Sequence, residues 1–265
     1  MHSLLEIIIL GLVQGFTEFI PVSSSGHLVI AQTLFSGASD HLFIEFIDIG
    51  TTLALVVFFR KRIMGILQDI FVKKNFKLAR NIIITAVPAG AVGYLLSDFI
   101  NSSWFFGSLT VVAVTLVAVG TIMIFLEKLP KASAVKDGDS LSSVRAMVIG
   151  LVQVLALIPG VSRSGSTIIA GRLSGLTPKS AAEYSFLASL PIMFGVMLKL
   201  FVGSTEREYL ATHMSAIVVS NAFAFIAGMI AVGFMMRYLS KHSLAIFGWY
   251  RIGLAAIVTV VVLVQ

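Results

Sequence analysis

The sequence predicts an all-α polytopic membrane protein, made of two inverted-topology repeats with six transmembrane helices plus two re-entrant helical hairpins. Apolar residues make up 57% of the 265 positions and charged residues 12%, whereas an average soluble domain is ~45–50% apolar and ~25% charged. The apolar residues form long continuous runs, which excludes an outer-membrane barrel with its alternating segments of ~10 residues. The two halves of the chain also resemble each other, and this observation predicts the repeats.

Six apolar segments are long enough to cross a bilayer, which takes about 20 residues in a helix. They cover roughly residues 41–59, 81–97, 105–126, 180–202, 212–236 and 244–264. Two further apolar segments, 4–35 and 146–173, are interrupted by turns that contain proline, serine and glycine. The pieces after these turns, about 10 residues long, are too short to span, so each segment predicts a re-entrant hairpin.

The two broken segments are similar in sequence. When 11–31 is aligned with 150–170, ten of 21 positions are identical. We therefore interpret the single membrane domain, 1–265, as a duplication with repeat one at 1–130 and repeat two at 140–265. Each repeat has three spans, and an odd number places the second repeat upside down in the membrane, as in many transporters.

Lysine and arginine concentrate in alternate loops. Seven lie in 60–80, four in 127–145 and two in 237–242, but none in 97–104 and one in the expected loop 203–211. The positive-inside rule makes the first three loops cytoplasmic. We therefore expect both termini on the outer side, with the first hairpin entering from outside and the second from the cytoplasm.

Two classes of function are excluded by composition. The chain has no cysteine, so disulfides, thiolate metal sites and cysteine nucleophiles are impossible. No stretch of interleaved basic and aromatic residues indicates nucleic acid. The partners that we expect are the bilayer and a membrane-soluble ligand.

The first hairpin carries a carboxylate within an apolar helix. Gln14 and Glu18 are four residues apart and share a helix face. An ionised carboxylate at a helix centre costs about 2.5–3.5 kcal/mol on insertion scales, so Glu18 indicates a functional site. The alternative is that Glu18 only pairs with a buried arginine. His27, just after the serine-rich turn, is either a nucleophile or acid–base group or a packed histidine.

The second hairpin repeats the serines of the first, with Arg163 at the place of Ser24. Serines at a helix start cap it, and the free N–H groups there also attract anions. Because the guanidinium fork suits phosphate oxygens, two converging helix starts predict a site for a multiply charged phosphate.

Five other residues are harder to place. Glu45, Asp48 and Glu183 lie in apolar spans; Glu45 and Glu183, at equivalent places in the repeats, either support the hairpin backbone or act directly, and the role of Asp48 is open. Arg251 either binds the ligand or pairs with one of these acids. Tyr250 is expected at a membrane interface.

The motifs Gln14-x3-Glu18, Pro21 to His27 and Pro159 to Thr167 resemble those of the bacterial undecaprenyl-pyrophosphate phosphatases of the BacA/UppP type. The resemblance implies an undecaprenyl-diphosphatase, a hydrolase that acts on a phosphoric anhydride. Such an enzyme converts undecaprenyl pyrophosphate to undecaprenyl phosphate and inorganic phosphate, which recycles the lipid carrier for peptidoglycan and confers bacitracin resistance. It also implies a multi-pass protein of the bacterial inner (plasma) membrane that binds a long-chain polyprenyl pyrophosphate.

The resemblance also implies roles for individual residues. Glu18 and Gln14 would bind a divalent cation, Mg²⁺ or Ca²⁺, and Glu18 would be its sole carboxylate because Gln14 is an amide. The catalytic residues would be Glu18, His27, Ser24 and Arg163, and the nucleophile is Ser24, His27 or water, with Ser24 favoured. Substrate-binding residues would be Ser23, Ser25, Gly26, Ser162, Ser164, Gly165 and Thr167.

A transporter or flippase of a lipid phosphate is the alternative function, because inverted repeats with paired half-helices are typical of transporters. It would bind the same head group at the same helix starts. A hydrolysed product and an outward-opening first hairpin favour an active site on the outer face. The oligomeric state does not follow from the sequence, and a homodimer is left as an alternative to the monomer.

Overall fold

The computed structural model describes residues 3–36, 40–129, 135 and 137–264. These residues are helical nearly throughout and include no strand, which confirms the all-α class. The first half contains α1 (Leu4–Phe19), α2 (Ser24–Ser36), α3 (His41–Phe58), α4 (Arg60–Phe71), α5 (Lys77–Leu95), α6 (Ser97–Ser102), α7 (Trp104–Gly107) and α8 (Leu109–Leu126). The second half contains α9 (Ser143–Val154), α10 (Arg163–Leu173), α11 (Pro178–Val202), α12 (Ser204–Tyr238) and α13 (Ala245–Val264), with 3₁₀ turns at Gly138–Ser140 and Leu155–Leu157.

Six helices are long and apolar enough to cross a membrane, namely α3, α5, α8, α11, α12 and α13. All six predicted spans are confirmed. Residues 203–211, expected as a loop, instead form the beginning of α12 from Ser204 onward, and α12 is kinked at His213, where φ is −117°. This expectation was wrong because Glu206, Arg207, Glu208, Leu210 and Ala211 are all good helix formers.

The basic connection 60–80 contains α4, which has no buried residue. Its apolar side chains Met64, Leu67 and Phe71 are exposed, and arginine and lysine precede them in sequence. This pattern is typical of a helix that lies on a membrane surface. Of the cations expected in the 127–145 loop, Lys131 and Lys136 lie outside the described residues.

Both broken segments divide at the predicted places. The first break is a turn at residues 20–23, which we call turn 1, between α1 and α2. The second is a turn at residues 158–162, which we call turn 2, between the 3₁₀ turn after α9 and the start of α10. The helices that follow, α2 with 13 residues and α10 with 11, are shorter than a spanning helix.

The two halves pack across each other. Helix α1 of the first half lies against α12 of the second half, and α9 of the second half lies against α5 of the first. Glycine allows both contacts, because a Cβ added to Gly11 would lie 2.3 Å from the Ser220 carbonyl oxygen and one added to Gly150 would lie 2.8 Å from that of Thr85. Each broken segment is therefore held by a span of the other half.

Among the described residues, neither Glu45 nor Glu183 hydrogen-bonds the hairpin backbone, contrary to one expectation. Glu45 pairs with Lys199 at 3.3 Å, and Glu183 pairs with Arg62 at 3.1 Å. Arg62 also donates to Asp139 at 2.7 Å. Burial by itself lowers the pKa of Arg62, but Asp139 and Glu183 outweigh burial and raise it. Both glutamates pair with cations of other helices, and Arg62 ties the loop between the halves to α4 and α11.

Candidate active site

Glu18, near the end of α1, joins the two turns. Its Oε1 accepts from Nη2 of Arg163 in an ion pair, and its Oε2 accepts from Ser24 Oγ at 2.6 Å. Gln14 Nε2 donates to the same Oε2 at 3.1 Å, which confirms that Gln14 and Glu18 share a helix face. The Glu18 side chain is only 10% exposed. The structure thus brings together four residues that the sequence placed in a site.

The serines that precede the second helix of each pair have the same unusual backbone. Ser23 has φ +76° and Ser162 has φ +73°, a region that favours glycine. Each caps the next helix, since Gly26 N donates to Ser23 Oγ at 3.3 Å and Gly165 N to Ser162 Oγ at 3.1 Å. Such strain costs about 1–3 kcal/mol per residue and clusters at functional sites. The expected capping role is confirmed in both turns.

The other serines lie close to these caps. Ser25 Oγ lies 3.3 Å from Ser23 Oγ and is exposed, and Ser164 Oγ lies 3.2 Å from Ser162 Oγ. Ser164 also donates to the backbone carbonyl of Glu18 at 3.2 Å. Turn 2 is therefore tied directly to the end of α1.

Three predicted binding residues face protein instead. A Cβ on Gly26 would lie 3.2 Å from Val112, and one on Gly165 would lie 3.0 Å from Met123, so both glycines allow α8 to pack closely on the helix starts. The Thr167 hydroxyl contacts Ser185 at 2.5 Å and is buried. The structure does not bring Thr167 to the cluster around Glu18.

His27 is held at both ring nitrogens. Nδ1 lies 2.7 Å from the Ser23 carbonyl oxygen, which only accepts, so Nδ1 carries the proton. Nε2 of the neutral ring then accepts from the Tyr250 hydroxyl at 2.7 Å. Tyr250 therefore lies against His27. This contact was not predicted, since Tyr250 was expected only at a membrane interface. In the sequence, only the position of Tyr250 next to Arg251 signals this contact.

Arg251 is fully buried and donates to the carbonyl oxygens of Pro21 at 3.2 Å, Val161 at 3.1 Å and Gly160. Ligand binding by Arg251 stays a prediction, but among the described residues Arg251 forms no ion pair with an acid, so that alternative was wrong. The reason is that the turns expose backbone carbonyls that have no partner within a helix, and their dipoles compensate the buried charge. Arg251 holds turn 1 and turn 2 together.

Asp48 lies beside the cluster, although its role was left open. Gln14 Nε2 donates to Asp48 Oδ1 as well as to Glu18. Gln14 is 1% exposed, and its Oε1 has no hydrogen-bond partner among the described residues. The one sequence signal for Asp48 is an acid in the middle of an apolar span.

Comparison with known proteins identifies the family. A family model described as "Bacitracin resistance protein BacA" matches residues 7–257, which include both turns, Asp48 and Arg251. The chain belongs to the BacA family. In that family it is similar to "Undecaprenyl-diphosphatase 1" of Clostridioides difficile (strain 630), with 41% identity over 97% of this chain and 96% of the relative.

Two further relatives of this BacA-family chain cover nearly its whole length. "Undecaprenyl-diphosphatase 2" of Pseudomonas fluorescens (strain Pf0-1) is 38% identical over 97% of this chain and 92% of the relative. "Undecaprenyl-diphosphatase" of Nitrosomonas eutropha is 36% identical over 96% of this chain and 93% of the relative. Together with the six apolar helices, this membership makes the protein a multi-pass membrane protein.

Proposed function

We propose that the protein hydrolyses undecaprenyl pyrophosphate to undecaprenyl phosphate and inorganic phosphate. This activity recycles the lipid carrier for peptidoglycan synthesis and confers bacitracin resistance. The names of the three relatives support the proposal. The observation that carries it is the 2.6 Å hydrogen bond from Ser24 to Glu18, with Arg163 on the other carboxylate oxygen. A hydroxyl beside a carboxylate and a guanidinium is suited to phosphoryl transfer.

Ser24 is the nucleophile in this proposal. Its Oγ forms a bond to the terminal phosphorus, its proton passes to Glu18, and the bridging oxygen leaves with undecaprenyl phosphate. Water then attacks the phosphoserine, which releases inorganic phosphate and restores the hydroxyl. His27 and a direct water remain the competing nucleophiles, but in the described residues His27 hydrogen-bonds Ser23 and Tyr250 rather than Ser24 or Glu18.

Arg163 and the two helix starts bind the pyrophosphate. The guanidinium sits at the start of α10, where the positive end of the helix dipole adds to its charge. A pyrophosphate competes with Glu18 for Arg163, so substrate binding releases the carboxylate to act as a base. The remaining contacts come from the hydroxyls of Ser23, Ser25, Ser162 and Ser164, whereas the backbone N–H groups of Gly26 and Gly165 already donate to Ser23 and Ser162.

A divalent cation, Mg²⁺ or Ca²⁺, fits this donor set. Carboxylate, amide and hydroxyl oxygens are its preferred ligands, and the buried Oε1 of Gln14 has no hydrogen-bond partner in the described part of the chain. Among the described residues no three Asp, Glu or His side chains converge. In phosphate-processing sites Mg²⁺ is usually bound by one or two carboxylates together with substrate phosphates. Glu18 and Gln14 would hold the cation, which when bound neutralises charge on the transferring phosphoryl group.

The fold proposal is that α1–α2 and α9–α10 are re-entrant hairpins of two inverted repeats in the bacterial plasma membrane. The crosswise packing of α1 on α12 and α9 on α5 supports it, as does the shared backbone of Ser23 and Ser162. The basic residues of loop 60–80 support a cytoplasmic position of α4 under the positive-inside rule. The active site then opens to the outer side.

Phosphate release tests the proposal. The purified protein in detergent is given undecaprenyl pyrophosphate and Mg²⁺, and inorganic phosphate is measured for the wild type and for Glu18→Ala, His27→Ala and Arg163→Ala. We expect release by the wild type and a loss of at least about 10²-fold in Glu18→Ala and Arg163→Ala. No release by the wild type, or release that these changes leave unaltered, would instead favour a lipid-phosphate transporter or flippase.

A further inference from the structure

We propose that Asp48 is the second carboxylate of the active site and binds the divalent cation together with Glu18 and Gln14. The sequence motif on α1 contains only one carboxylate, because its first position is Gln14. The structure places the second on α3, 34 residues along the chain. This inference rests on the proposed phosphatase function and extends its cation site.

The two carboxylates converge on one point. Gln14 Nε2 donates to Glu18 Oε2 at 3.1 Å and also to Asp48 Oδ1. An amide nitrogen between two carboxylate oxygens marks a place where a positive charge is attracted by both. A cation bound there gains the same two oxygens as ligands.

The amide of Gln14 supplies an independent indication. Its side chain is 1% exposed, and Oε1 lacks a hydrogen-bond partner among the described residues. Leaving such an oxygen buried without a hydrogen-bond partner is unfavourable. Rotation of the Gln14 amide by half a turn exchanges the positions of Nε2 and Oε1. Oε1 then lies between the two carboxylates as a third oxygen ligand. A bound cation therefore satisfies the orphaned oxygen.

Asp48 differs from Glu18, Glu45 and Glu183, each of which forms an ion pair with a lysine or arginine. Glu18 pairs with Arg163, Glu45 with Lys199 and Glu183 with Arg62. In the described part of the chain no lysine or arginine forms an ion pair with the Asp48 side chain. Thr51 and Thr52 donate only to its backbone carbonyl, at 2.9 and 2.8 Å. A carboxylate in such a helix calls for a partner, and a divalent cation supplies it.

Cation binding tests this assignment without relying on turnover. Mn²⁺ is titrated into the protein in lipid nanodiscs with methylenediphosphonate, a pyrophosphate mimic that is not hydrolysed, and free Mn²⁺ is followed by electron paramagnetic resonance. We expect Asp48→Asn to bind Mn²⁺ at least about tenfold more weakly than the wild type. The matched control is Glu45→Gln, which removes a carboxylate one turn away on α3 that pairs with Lys199. It should leave binding unchanged.

A double variant guards against misfolding of Asp48→Asn. Gln14→Glu combined with Asp48→Gln moves the carboxylate from α3 to α1 and keeps the number of acids, so binding should return to within about threefold of the wild type. Equal binding by the wild type and Asp48→Asn, or a double variant no tighter than Asp48→Asn, overturns the assignment. Phosphate release by the wild type at saturating Mg²⁺ separates this failure from failure of the phosphatase proposal, since it reports on the proposed function alone.

Discussion

Glu18 and Arg163, 145 residues apart in the chain, form an ion pair that connects the end of α1 to the start of α10. The pair has two effects. It compensates a carboxylate in an apolar helix, and it keeps the guanidinium at the point where two helix starts meet. Pairing of Glu18 with an arginine is thus confirmed, and a chemical role of Glu18 stays a prediction.

Arg163→Lys should lower kcat/KM by about 10²-fold, because an ammonium lacks the planar fork that binds a carboxylate and a phosphate together. Phosphate release from undecaprenyl pyrophosphate measures the effect. Arg207→Lys, a change at another arginine of the chain that has no place in the cluster, is the control. Retention of full activity in Arg163→Lys would show that only the charge matters.

Arg251→Lys should destabilise the protein by about 2–4 kcal/mol, because one ammonium leaves at least one buried carbonyl of the two turns without a donor. The unfolding temperature in detergent and the rate of phosphate release should both fall. The same change at the exposed Arg237 serves for comparison. If Arg251→Lys unfolds at the wild-type temperature, the turns do not depend on its hydrogen bonds.

Gly15→Ala should weaken the contact between α1 and α12, because its Cβ would lie 2.5 Å from the Ala224 carbonyl oxygen. Forcing the helices apart costs about 1–3 kcal/mol and displaces Glu18, one turn further along α1. Gly195→Ala provides the control, since nothing lies within 4 Å of an added Cβ there. Thermal stability and activity should fall in the first variant alone.

Tyr250→Phe should lower kcat by about fivefold with little change in KM, because His27 Nε2 loses one net hydrogen bond while the aromatic contact remains. The two rings are stacked with centroids 5.7 Å apart. Steady-state kinetics of phosphate release separate the two constants. Trp249→Phe, at the exposed neighbour, should behave as the wild type. A rise in KM alone would assign Tyr250 to substrate binding.

Cysteine labelling tests the orientation, since the chain has no cysteine of its own. Ser102→Cys and Asn75→Cys place thiols at exposed positions on opposite sides of α5. In intact cells, a thiol reagent that does not cross membranes should label the Ser102→Cys variant but not the Asn75→Cys variant. The reverse labelling pattern would show that the protein has the opposite orientation in the membrane.

Local sequence predicted the features that depend on local forces. The six spans follow from apolar runs, and the breaks before Ser24 and Arg163 follow from proline, glycine and serine. Asp48, Tyr250 and Arg251 were harder because their partners lie 34, 223 and 230 residues away. Which distant groups meet depends on how α3 and α13 pack, and a single sequence carries little information about that.

The hydrogen bonds from Arg251 can form only late in biosynthesis. Turn 1 is made at the start of translation, whereas the side chain that satisfies its Pro21 carbonyl is made only 230 residues later. The first hairpin must therefore wait in the membrane, incompletely bonded, until the last helix has been inserted. A chain released before α13 is complete would carry every residue of the Glu18 cluster but would lack the arginine that joins its turns, so truncated products should be inactive and open to membrane proteases.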